Sequence, residues 1–350
     1  MKYVSLVKNT LGHDVQHLIL FVTSRCNAKC KMCFYWKNTE NAKSMEISDI
    51  KKIVAKLDKV TYLSITGGEP FLRDDLAEIC EAFKGKVQYI HIPTNGMLSE
   101  KIESTFRDVL SKCPDIFFKI SLSLDGVGKL HDEIRGVPGL FEKVLDTKER
   151  LLKMKKEFRN FEVNVITTFS SLNQEKMKEI QDFVSTLGVD YHNMTYVRGN
   201  PRVPESKDVS PDLYEAALDR FDKMRSPGKE KFFLKATHEL KRTCREHVLF
   251  AIKNGRNAVP CVAGRKIVVI NENCDMYPCE ILGKSMGNVK DFDYDIKKLL
   301  KSEASKSVLD FIRKGGCSCT FECAIQNSIV ANRKMWPELF IRTLINQNGS

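Results

Sequence analysis

Three cysteines near the start of the chain have the type and spacing of metal-cluster ligands. Cys26, Cys30 and Cys33 fall within eight residues of the segment TSRCNAKCKMCFYW, and an aromatic run follows at once. A zinc site normally takes four protein ligands, and a [4Fe–4S] cluster normally takes four thiolates. Three thiolates leave one iron of such a cluster open to bind and reduce a small molecule. A zinc site that lacks one ligand and half of a disulfide framework are the alternatives at this point.

Nine of the twelve cysteines form two groups. The second group comprises Cys261, Cys274, Cys279, Cys317, Cys319 and Cys323. Cys80, Cys113 and Cys244 lie in helix-like segments and are interpreted as small buried hydrophobic residues. The amino-terminal segment has no signal-peptide pattern, which predicts a cytoplasmic protein. Since cytoplasmic thiols stay reduced, we interpret the grouped cysteines as metal ligands rather than disulfides.

The composition is that of a soluble globular protein with a sizeable core. Of the 350 residues, 42% are hydrophobic and 29% are charged, and no apolar run is as long as a membrane span. The net charge of +11 favours anionic partners. Residues 225–256 carry nine Lys and Arg against three Asp and Glu. We interpret this segment as a packed helix with a solvated basic face, with a substrate lid or a membrane-surface helix as alternatives.

Six apolar segments alternate with helix-like segments in the first two thirds of the chain. Residues 17–23, 62–67, 87–94, 117–124, 161–168 and 191–197 are interpreted as buried parallel strands. Six β–α units in a row predict an α/β fold with a parallel sheet and right-handed crossovers. Six units are too few for a closed eightfold barrel. A partial (β/α)6 barrel is therefore favoured, with a doubly wound sheet as the alternative.

Unusual residues follow the predicted strands at the same end. The three cysteines follow the first strand, TGGEP (66–70) follows the second, TNG (94–96) the third and SLDG (123–126) the fourth. The functional site of a parallel α/β sheet lies at the carboxyl ends of its strands. These segments therefore predict one site on one rim of the barrel.

The pattern changes at about residue 200. A proline-rich connector leads into a basic helical region, and a small cysteine-bearing module begins at Pro260. The predicted domains are residues 1–200 (partial barrel), 201–259 (basic helical connector) and 260–350 (a module with a β-hairpin and a helix).

The first cysteine group and the segment after the second strand resemble the radical S-adenosylmethionine (radical SAM) superfamily. The resemblance rests on Cys26-x3-Cys30-x2-Cys33, followed by GGEP at residues 67–70. It implies a [4Fe–4S] cluster whose open iron is chelated by the amino and carboxylate groups of S-adenosylmethionine. It also implies reductive cleavage of the sulfonium C–S bond, which gives a 5′-deoxyadenosyl radical that takes a hydrogen atom from a substrate C–H bond. The protein orients the cofactor and excludes water.

The resemblance assigns cofactor contacts residue by residue. Gly67, Gly68 and Glu69 match the segment that binds the methionine amino group, where glycines let the backbone approach closely. Asn95 and Ser123 match rim residues that contact the methionine carboxylate or the ribose. For Asn95, which precedes a glycine, an ordinary turn is the alternative.

Two further contacts are implied near the cofactor. Arg135 matches an arginine that pairs with the methionine carboxylate, and a charge at a helix end is the alternative. Many family members place an aromatic residue before the third cysteine. Here that residue is Met32, and Phe34 becomes the candidate for packing near the adenine.

The second cysteine group resembles the SPASM/twitch extension of radical SAM enzymes, which holds auxiliary [4Fe–4S] clusters. The resemblance makes the carboxyl-terminal module an iron–sulfur module with one auxiliary cluster. Its implied ligands are Cys261 and Cys279, with two more from Cys317, Cys319 and Cys323. Cys319 and Cys323 are favoured for those two places. Cys274 stands where the family has a turn glycine, and a structural zinc site is the alternative for the module.

The resemblance leaves the substrate open. We favour oxidation or epimerisation of a small polar, sugar-like molecule, with a peptide and a lipid or lipid-linked sugar as alternatives. Only 25 residues precede Cys26, whereas many peptide-modifying relatives carry a leader-peptide domain there. Arg198, after the sixth strand, is the candidate for holding a substrate anion, and a surface charge is the alternative. No catalytic base is assigned.

The partners follow from the same resemblance. The cofactors are S-adenosylmethionine and two [4Fe–4S] clusters, and the reductant is a flavodoxin or ferredoxin. DNA is not expected, because no motif that combines aromatic and basic residues stands out. An iron–sulfur electron carrier is the alternative to an enzyme, and association with a membrane surface is the alternative to a freely cytoplasmic protein.

Overall fold

One sheet runs through the part of the chain that the computed structural model describes, residues 15–224 and 232–345. Its strands are β1 (His17–Thr23), β2 (Val60–Gly67), β3 (Val87–Thr94), β4 (Phe117–Ser123), β5 (Phe161–Phe169), β6 (Tyr191–Tyr196), β7 (Ile267–Ile270), β8 (Asp275–Tyr277) and β9 (Gly287–Asn288). The first six strands agree with the predicted segments to within two residues at either end. Every residue of β1 is buried, which is expected where a strand is covered on both faces.

The strand order confirms the partial barrel. The sheet runs β6-β5-β4-β3-β2-β1-β7-β8-β9, and β1 to β6 pair with one another in parallel. A doubly wound sheet reverses its strand order at a switch point. The order here has no reversal from β6 to β1, so the first six strands form an open (β/α)6 barrel and their carboxyl ends share one rim.

The hairpin of the cysteine-bearing module is part of the barrel sheet. Strand β7 pairs in parallel with β1, with His17 opposite Ile267 and Leu20 opposite Ile270. Strands β8 and β9 then continue the sheet in antiparallel fashion. The sequence predicted a hairpin here without its pairing partner, since the short apolar segment IVVI does not specify which strand it will join.

Thirteen α-helices cover the sheet and form the module within the described residues. They are α1 (Trp36–Glu40), α2 (Ile47–Lys56), α3 (Leu76–Ala82), α4 (Ser99–Lys112), α5 (Lys129–Arg135), α6 (Leu140–Met154), α7 (Met177–Ser185), α8 (Pro211–Lys223), α9 (Phe232–Asn254), α10 (Ile296–Leu300), α11 (Glu303–Arg313), α12 (Glu322–Ala331) and α13 (Trp336–Ile345). Short 3-10 turns link several of them.

The basic region after the barrel forms two helices, α8 and α9. Helix α9 packs against α12 and α13 and buries Cys244 and Val248, as the packed-helix interpretation predicts. Its cations are largely paired: Arg245 contacts Asp222 at 2.7 Å. Residues 225–231 and the side chain at position 233 lie outside the described part. No helix in the described ranges is both long enough and apolar enough to cross a membrane.

Candidate functional site

A cavity of about 220 Å3 opens at the carboxyl ends of the barrel strands. Its walls come from the loops after β1 to β4 and from β5, β6 and the loop that follows β6. The sequence-predicted residues that line it are Cys26, Cys30, Cys33, Phe34, Gly67, Gly68, Glu69, Asn95, Ser123, Arg135 and Arg198. The structure thus brings together the three cysteines and every predicted cofactor and substrate residue of the barrel.

The loop that carries the cysteines is fixed by backbone hydrogen bonds to two other loops. The Lys29 and Lys31 N–H groups donate to Arg135 O at 3.1 Å and Ile134 O at 2.9 Å, at the end of α5. The Val203 N–H donates to Lys31 O at 2.8 Å. The loop after β1 is therefore held by residues that follow β4 and β6.

Burial raises the pKa of the Cys26 and Cys33 thiols. The pKa of Cys26 rises to about 12 and that of Cys33 to about 11, in both cases mainly because burial disfavours the thiolate. In each case the backbone N–H two residues further along, at Ala28 and Tyr35, bonds to the sulfur and opposes the shift. A metal removes the proton from such a thiol outright. The loop therefore suits sulfurs that are ionised only on binding iron.

Gly67 and Gly68 let the loop after β2 lie directly against the cysteine loop. A Cβ on Gly67 would lie 2.0 Å from Thr23 O, and one on Gly68 would lie 2.1 Å from Arg25 O. The Gly68 N–H donates to Thr23 O at 2.8 Å, and the Glu69 N–H donates to Arg25 O at 2.8 Å. The close approach that these glycines permit is thus between two loops of the protein, in addition to the approach to a cofactor that the sequence predicts.

Glu69 is a buried carboxylate that joins the loops after β2 and β3. Its Oε1 accepts from the Phe71 N–H and the Thr94 hydroxyl, and its Oε2 accepts from the Asn95 N–H at 2.7 Å. Burial raises its pKa to about 7, although these hydrogen bonds and Arg135 favour the ionised form. A cation bound beside Glu69 would lower this pKa and stabilise the ionised carboxylate.

Asn95 and Ser123 differ in how their side chains are engaged. The Asn95 Nδ2 donates to Asn27 Oδ1 at 2.7 Å, and its Oδ1 accepts from the Met97 N–H at 2.9 Å. Asn95 therefore stabilises a local turn through Met97 and contacts the cysteine loop through Asn27. The Ser123 hydroxyl lines the cavity and makes no hydrogen bond to another described residue.

Asp125 is a site residue that the sequence analysis did not single out. Its Oδ2 lies 2.5 Å from Nη2 of Arg135, and its Oδ1 accepts from the Thr168 N–H at 2.7 Å. Nη1 of Arg135 in turn lies 3.5 Å from Cys30 Sγ. The carboxylate therefore orients the guanidinium beside a rim thiol. Its position in SLDG, two residues after Ser123, was the available signal.

Removing Asp125 is expected to destabilise the fold strongly. Asp125→Ala leaves the buried Arg135 guanidinium without its carboxylate, which typically costs about 3–5 kcal/mol in free energy of unfolding. The measurement is urea unfolding of the wild type and the variant. Glu78→Ala breaks the exposed pair with Lys51 and is the matched control, with an expected change below about 1 kcal/mol. Equal effects of the two substitutions would contradict the role given to Asp125.

Arg198 is engaged by two carboxylates of the carboxyl-terminal module. Its Nη2 lies 2.8 Å from Glu280 Oε2, and its Nη1 lies 3.1 Å from Glu322 Oε2. The guanidinium also lies over the rings of Phe34, at 5.4 Å, and Phe321, at 4.9 Å. Both Nη groups are therefore occupied, and Arg198 ties the end of β6 to the module while it borders the cavity.

Phe34 is fixed from two sides. Besides its contact with Arg198, a Cβ on Gly199 would lie 2.8 Å from Phe34 Cβ, so the backbone after β6 lies directly on this side chain. The neighbouring Tyr35 hydroxyl donates to Glu272, which lies between β7 and β8. Glu272 was not predicted from the sequence to be a site residue. The aromatic residues after Cys33 therefore line the cavity and also contact the carboxyl-terminal module.

Four thiols of the second group act on one another electrostatically. Burial raises the pKa of Cys279 to about 11 and that of Cys319 to about 12, and Cys261 and Cys317 raise both further. The backbone N–H two residues on bonds to the sulfur of Cys261, Cys279 and Cys319, at Ala263, Ile281 and Phe321. The first cysteine group shows the same N–H to sulfur pattern.

Cys323 and Cys274 have other neighbours. Burial raises the pKa of Cys323 to about 12, and the groups that act on it are Glu280, Arg198 and Glu322. Cys274 has a φ of +69° at the turn between β7 and β8, as expected at a glycine position, and its sulfur lies 3.8 Å from Asp49 Oδ2.

The described thiols are not arranged around a single ion. Within residues 15–224 and 232–345, no three Cys, His, Asp or Glu side chains converge closely enough to hold one metal ion. A [4Fe–4S] cluster makes a different demand, because each of its irons takes its own thiolate. The chemistry that such a cluster requires is found in the thiols that accept a backbone N–H, which are Cys26, Cys33, Cys261, Cys279 and Cys319.

An open parallel barrel with three thiols on its rim defines a class of iron–sulfur enzyme. Residues 20–184, from β1 to α7, match the family model described as the Radical SAM superfamily. Residues 20–184 therefore form a radical SAM domain. The match ends before the second cysteine group.

Curated relatives include enzymes with different names. A protein of Methanosarcina barkeri named AdoMet-dependent heme synthase is 26% identical over 292 residues, which cover 77% of this chain and 78% of the relative. A probable GTP 3′,8-cyclase of Methanococcus maripaludis is 28% identical over 205 residues, which cover 57% of this chain and 64% of the relative. Both relatives are named as enzymes.

Solved structures share the fold along almost the whole chain. SuiB of Streptococcus suis bound to precursor peptide SuiA has a TM-score of 0.62 at 17% identity, covering 94% of this chain and 76% of SuiB. The structure of anSMEcpe with bound AdoMet and the Cp18Cys peptide has a TM-score of 0.60 at 17% identity, covering 94% and 99%. At this level of sequence identity, the similarity shows a shared fold and nothing beyond it.

Proposed function

We propose that this enzyme reductively cleaves S-adenosylmethionine and removes a hydrogen atom from a substrate C–H bond. The observation that carries the proposal is the cavity at the barrel rim, where Cys26, Cys30 and Cys33 lie together with every matched family position. When bound there, a [4Fe–4S] cluster and S-adenosylmethionine supply the electron and the 5′-deoxyadenosyl radical.

The chain's own residues bind and orient these groups. The three rim cysteines hold the cluster and leave one position for the cofactor. Glu69 accepts the methionine ammonium, since a cation beside it lowers its pKa and stabilises the carboxylate. Ser123, whose hydroxyl is free of described partners, donates to a cofactor oxygen.

The test of the proposal is anaerobic assay of the reconstituted protein. With dithionite as electron donor, or with a flavodoxin or ferredoxin as the proposed natural reductant, the expected product of S-adenosylmethionine is 5′-deoxyadenosine. Its absence from a sample with full iron and sulfide content overturns the proposal.

We further propose one auxiliary [4Fe–4S] cluster bound by Cys261, Cys279, Cys317 and Cys319. These four thiols influence one another electrostatically, whereas Cys323 lies among Glu280, Glu322 and Arg198. This assignment replaces the preference for Cys323 that the sequence suggested. Four protein thiolates leave no open iron, which suits electron transfer from a substrate radical rather than substrate binding.

The iron content of two variants distinguishes the ligand sets. We expect about eight irons per chain in the reconstituted wild type and in Cys323→Ala, and fewer in Cys319→Ala, because the iron that loses its protein thiolate becomes labile. The measurement is iron and sulfide analysis with Mössbauer spectroscopy. A loss of iron in Cys323→Ala that equals the loss in Cys319→Ala would contradict the assignment.

For the substrate we propose a small polar molecule that is oxidised or epimerised. The support is that an auxiliary cluster can accept an electron, and that one curated relative is named for GTP, a small polar molecule. Peptide modification is the second candidate, because structures with the same fold contain bound peptides. Nucleotide sugars, aminocyclitols and peptides are added in turn, and formation of 5′-deoxyadenosine is measured. Stimulation by peptides alone favours the second candidate.

A further inference from the structure

Among the charged residues that line the cavity, one has a side chain that forms no hydrogen bond or ion pair with a described residue. Among the described residues that line it, four are formally charged: Glu69, Arg135, Arg198 and Arg202. Glu69 accepts hydrogen bonds on both oxygens, and Arg135 is paired with Asp125. Glu280 and Glu322 hold Arg198.

Arg202 differs from these three residues. Its side chain forms no ion pair or hydrogen bond with any described residue, and its Nε, like that of Arg135 and Arg198, is buried without an acceptor. Its guanidinium lies 5.2 Å from the ring centroid of Trp36, whose Nε1 donates to Asn200 O at 3.2 Å. A buried N–H group without an acceptor is unfavourable unless a partner is supplied from elsewhere.

The backbone that carries Arg202 is held in place. The Arg202 N–H donates to Cys33 O at 3.1 Å, and the Val203 N–H donates to Lys31 O at 2.8 Å. Pro201 is buried. The guanidinium is thus presented to the cavity from a fixed segment beside the cysteine loop, and little further ordering is needed when a ligand binds.

We propose that Arg202 binds an anionic group of the substrate, a carboxylate or a phosphate. The planar guanidinium fork matches both groups, and the indole of Trp36 lies beside it. The inference rests on the proposed function, because it places the substrate in the same cavity. It also moves the anion-binding role from Arg198, whose Nη atoms are already occupied, to a residue four positions further along.

The test compares anion binding by the anaerobic holoenzyme and three variants. Inorganic phosphate, acetate and S-adenosylmethionine are titrated separately by calorimetry. Arg202→Gln is expected to weaken binding of phosphate or acetate about 10-fold or more, because charge-assisted hydrogen bonds are lost. Arg202→Lys keeps the charge but lacks the planar fork. We expect it to bind these anions more weakly than the wild type and more tightly than Arg202→Gln. Arg313→Gln removes an equal charge from an exposed helix position and is expected to bind as the wild type does.

Three outcomes overturn the inference. They are no saturable binding of either anion by the wild type, equal binding by Arg202→Gln and the wild type, or a loss in Arg202→Gln confined to S-adenosylmethionine. The last outcome assigns Arg202 to the cofactor carboxylate instead. Cluster absorbance and circular dichroism establish that each variant is folded. Failure of the wild type to form 5′-deoxyadenosine overturns the proposed function separately, whatever the anion titrations show.

Discussion

Replacement of Cys26, Cys30 or Cys33 by alanine is expected to abolish formation of 5′-deoxyadenosine from S-adenosylmethionine. All three thiols line the cavity, and a cluster with one open iron needs every one of them. We expect a loss of about 1,000-fold or more, since enzymes accelerate their reactions by at least this factor over background. The measurement is the amount of 5′-deoxyadenosine formed in a single turnover under anaerobic conditions.

The control for these variants is another buried thiol. Cys80 is fully buried on α3 and does not line the cavity, so Cys80→Ala removes a sulfur from the core alone. We expect it to retain activity within a few-fold of the wild type at a modest cost in stability. Activity in Cys30→Ala comparable to that of Cys80→Ala would refute the role of the rim cysteines.

The second large effect is expected at Gly68. The new Cβ of Gly68→Ala would lie 2.1 Å from Arg25 O, a backbone atom that cannot turn aside as a side chain can. The loops after β1 and β2 must separate, at a cost of about 3 kcal/mol or more. We therefore expect both a lower midpoint of thermal unfolding and a loss of iron from the rim cluster. Calorimetry and iron analysis of the reconstituted protein measure the two effects.

Gly85 provides the comparison for Gly68. It has a φ of +73°, and a Cβ there would meet no atom within 4 Å. Gly85→Ala therefore costs only the left-handed backbone strain, about 1–2 kcal/mol, and is expected to leave the iron content unchanged. If Gly68→Ala binds as much iron as Gly85→Ala, the close packing of the two loops is not required for the cluster.

The barrel and its rim could be predicted from the sequence because their signals are local. Each of the first six strands is a short apolar run, and the motif residues follow the strands directly in the chain. A parallel sheet then brings the carboxyl ends together whatever the details of packing. For this reason residues as distant in sequence as Cys26 and Arg135 could be placed in one site.

Pairing between distant segments could not be predicted. The segment that forms β7 carries no mark that selects β1 as its partner, and the Arg198 guanidinium meets Glu280 and Glu322 only after the module has docked on the barrel. The choice among Cys317, Cys319 and Cys323 depends in the same way on which thiols meet in the folded module. The sequence-based prediction favoured Cys319 and Cys323, whereas the charged neighbours of Cys323 in space are Glu280, Glu322 and Arg198.

Residues that serve both the packing of the fold and the chemistry of the site could not be recognised as such from the sequence. The glycines of GGEP were expected to admit a cofactor, and the structure shows that they admit the cysteine loop as well. Arg202 is a single charged residue in a loop and has no distinctive spacing, and the only sequence signal for Asp125 was its place in SLDG. Their importance depends on a buried partner in one case and on the lack of a described partner in the other.

The most direct test of the central claim is the electron paramagnetic resonance spectrum of the reduced, fully reconstituted protein with and without S-adenosylmethionine. We predict that the cofactor changes the signal of the cluster held by Cys26, Cys30 and Cys33. We also predict that a variant with all three replaced by alanine retains an auxiliary signal that the cofactor leaves unchanged. A fully loaded wild-type protein whose spectrum does not respond to S-adenosylmethionine would contradict the account.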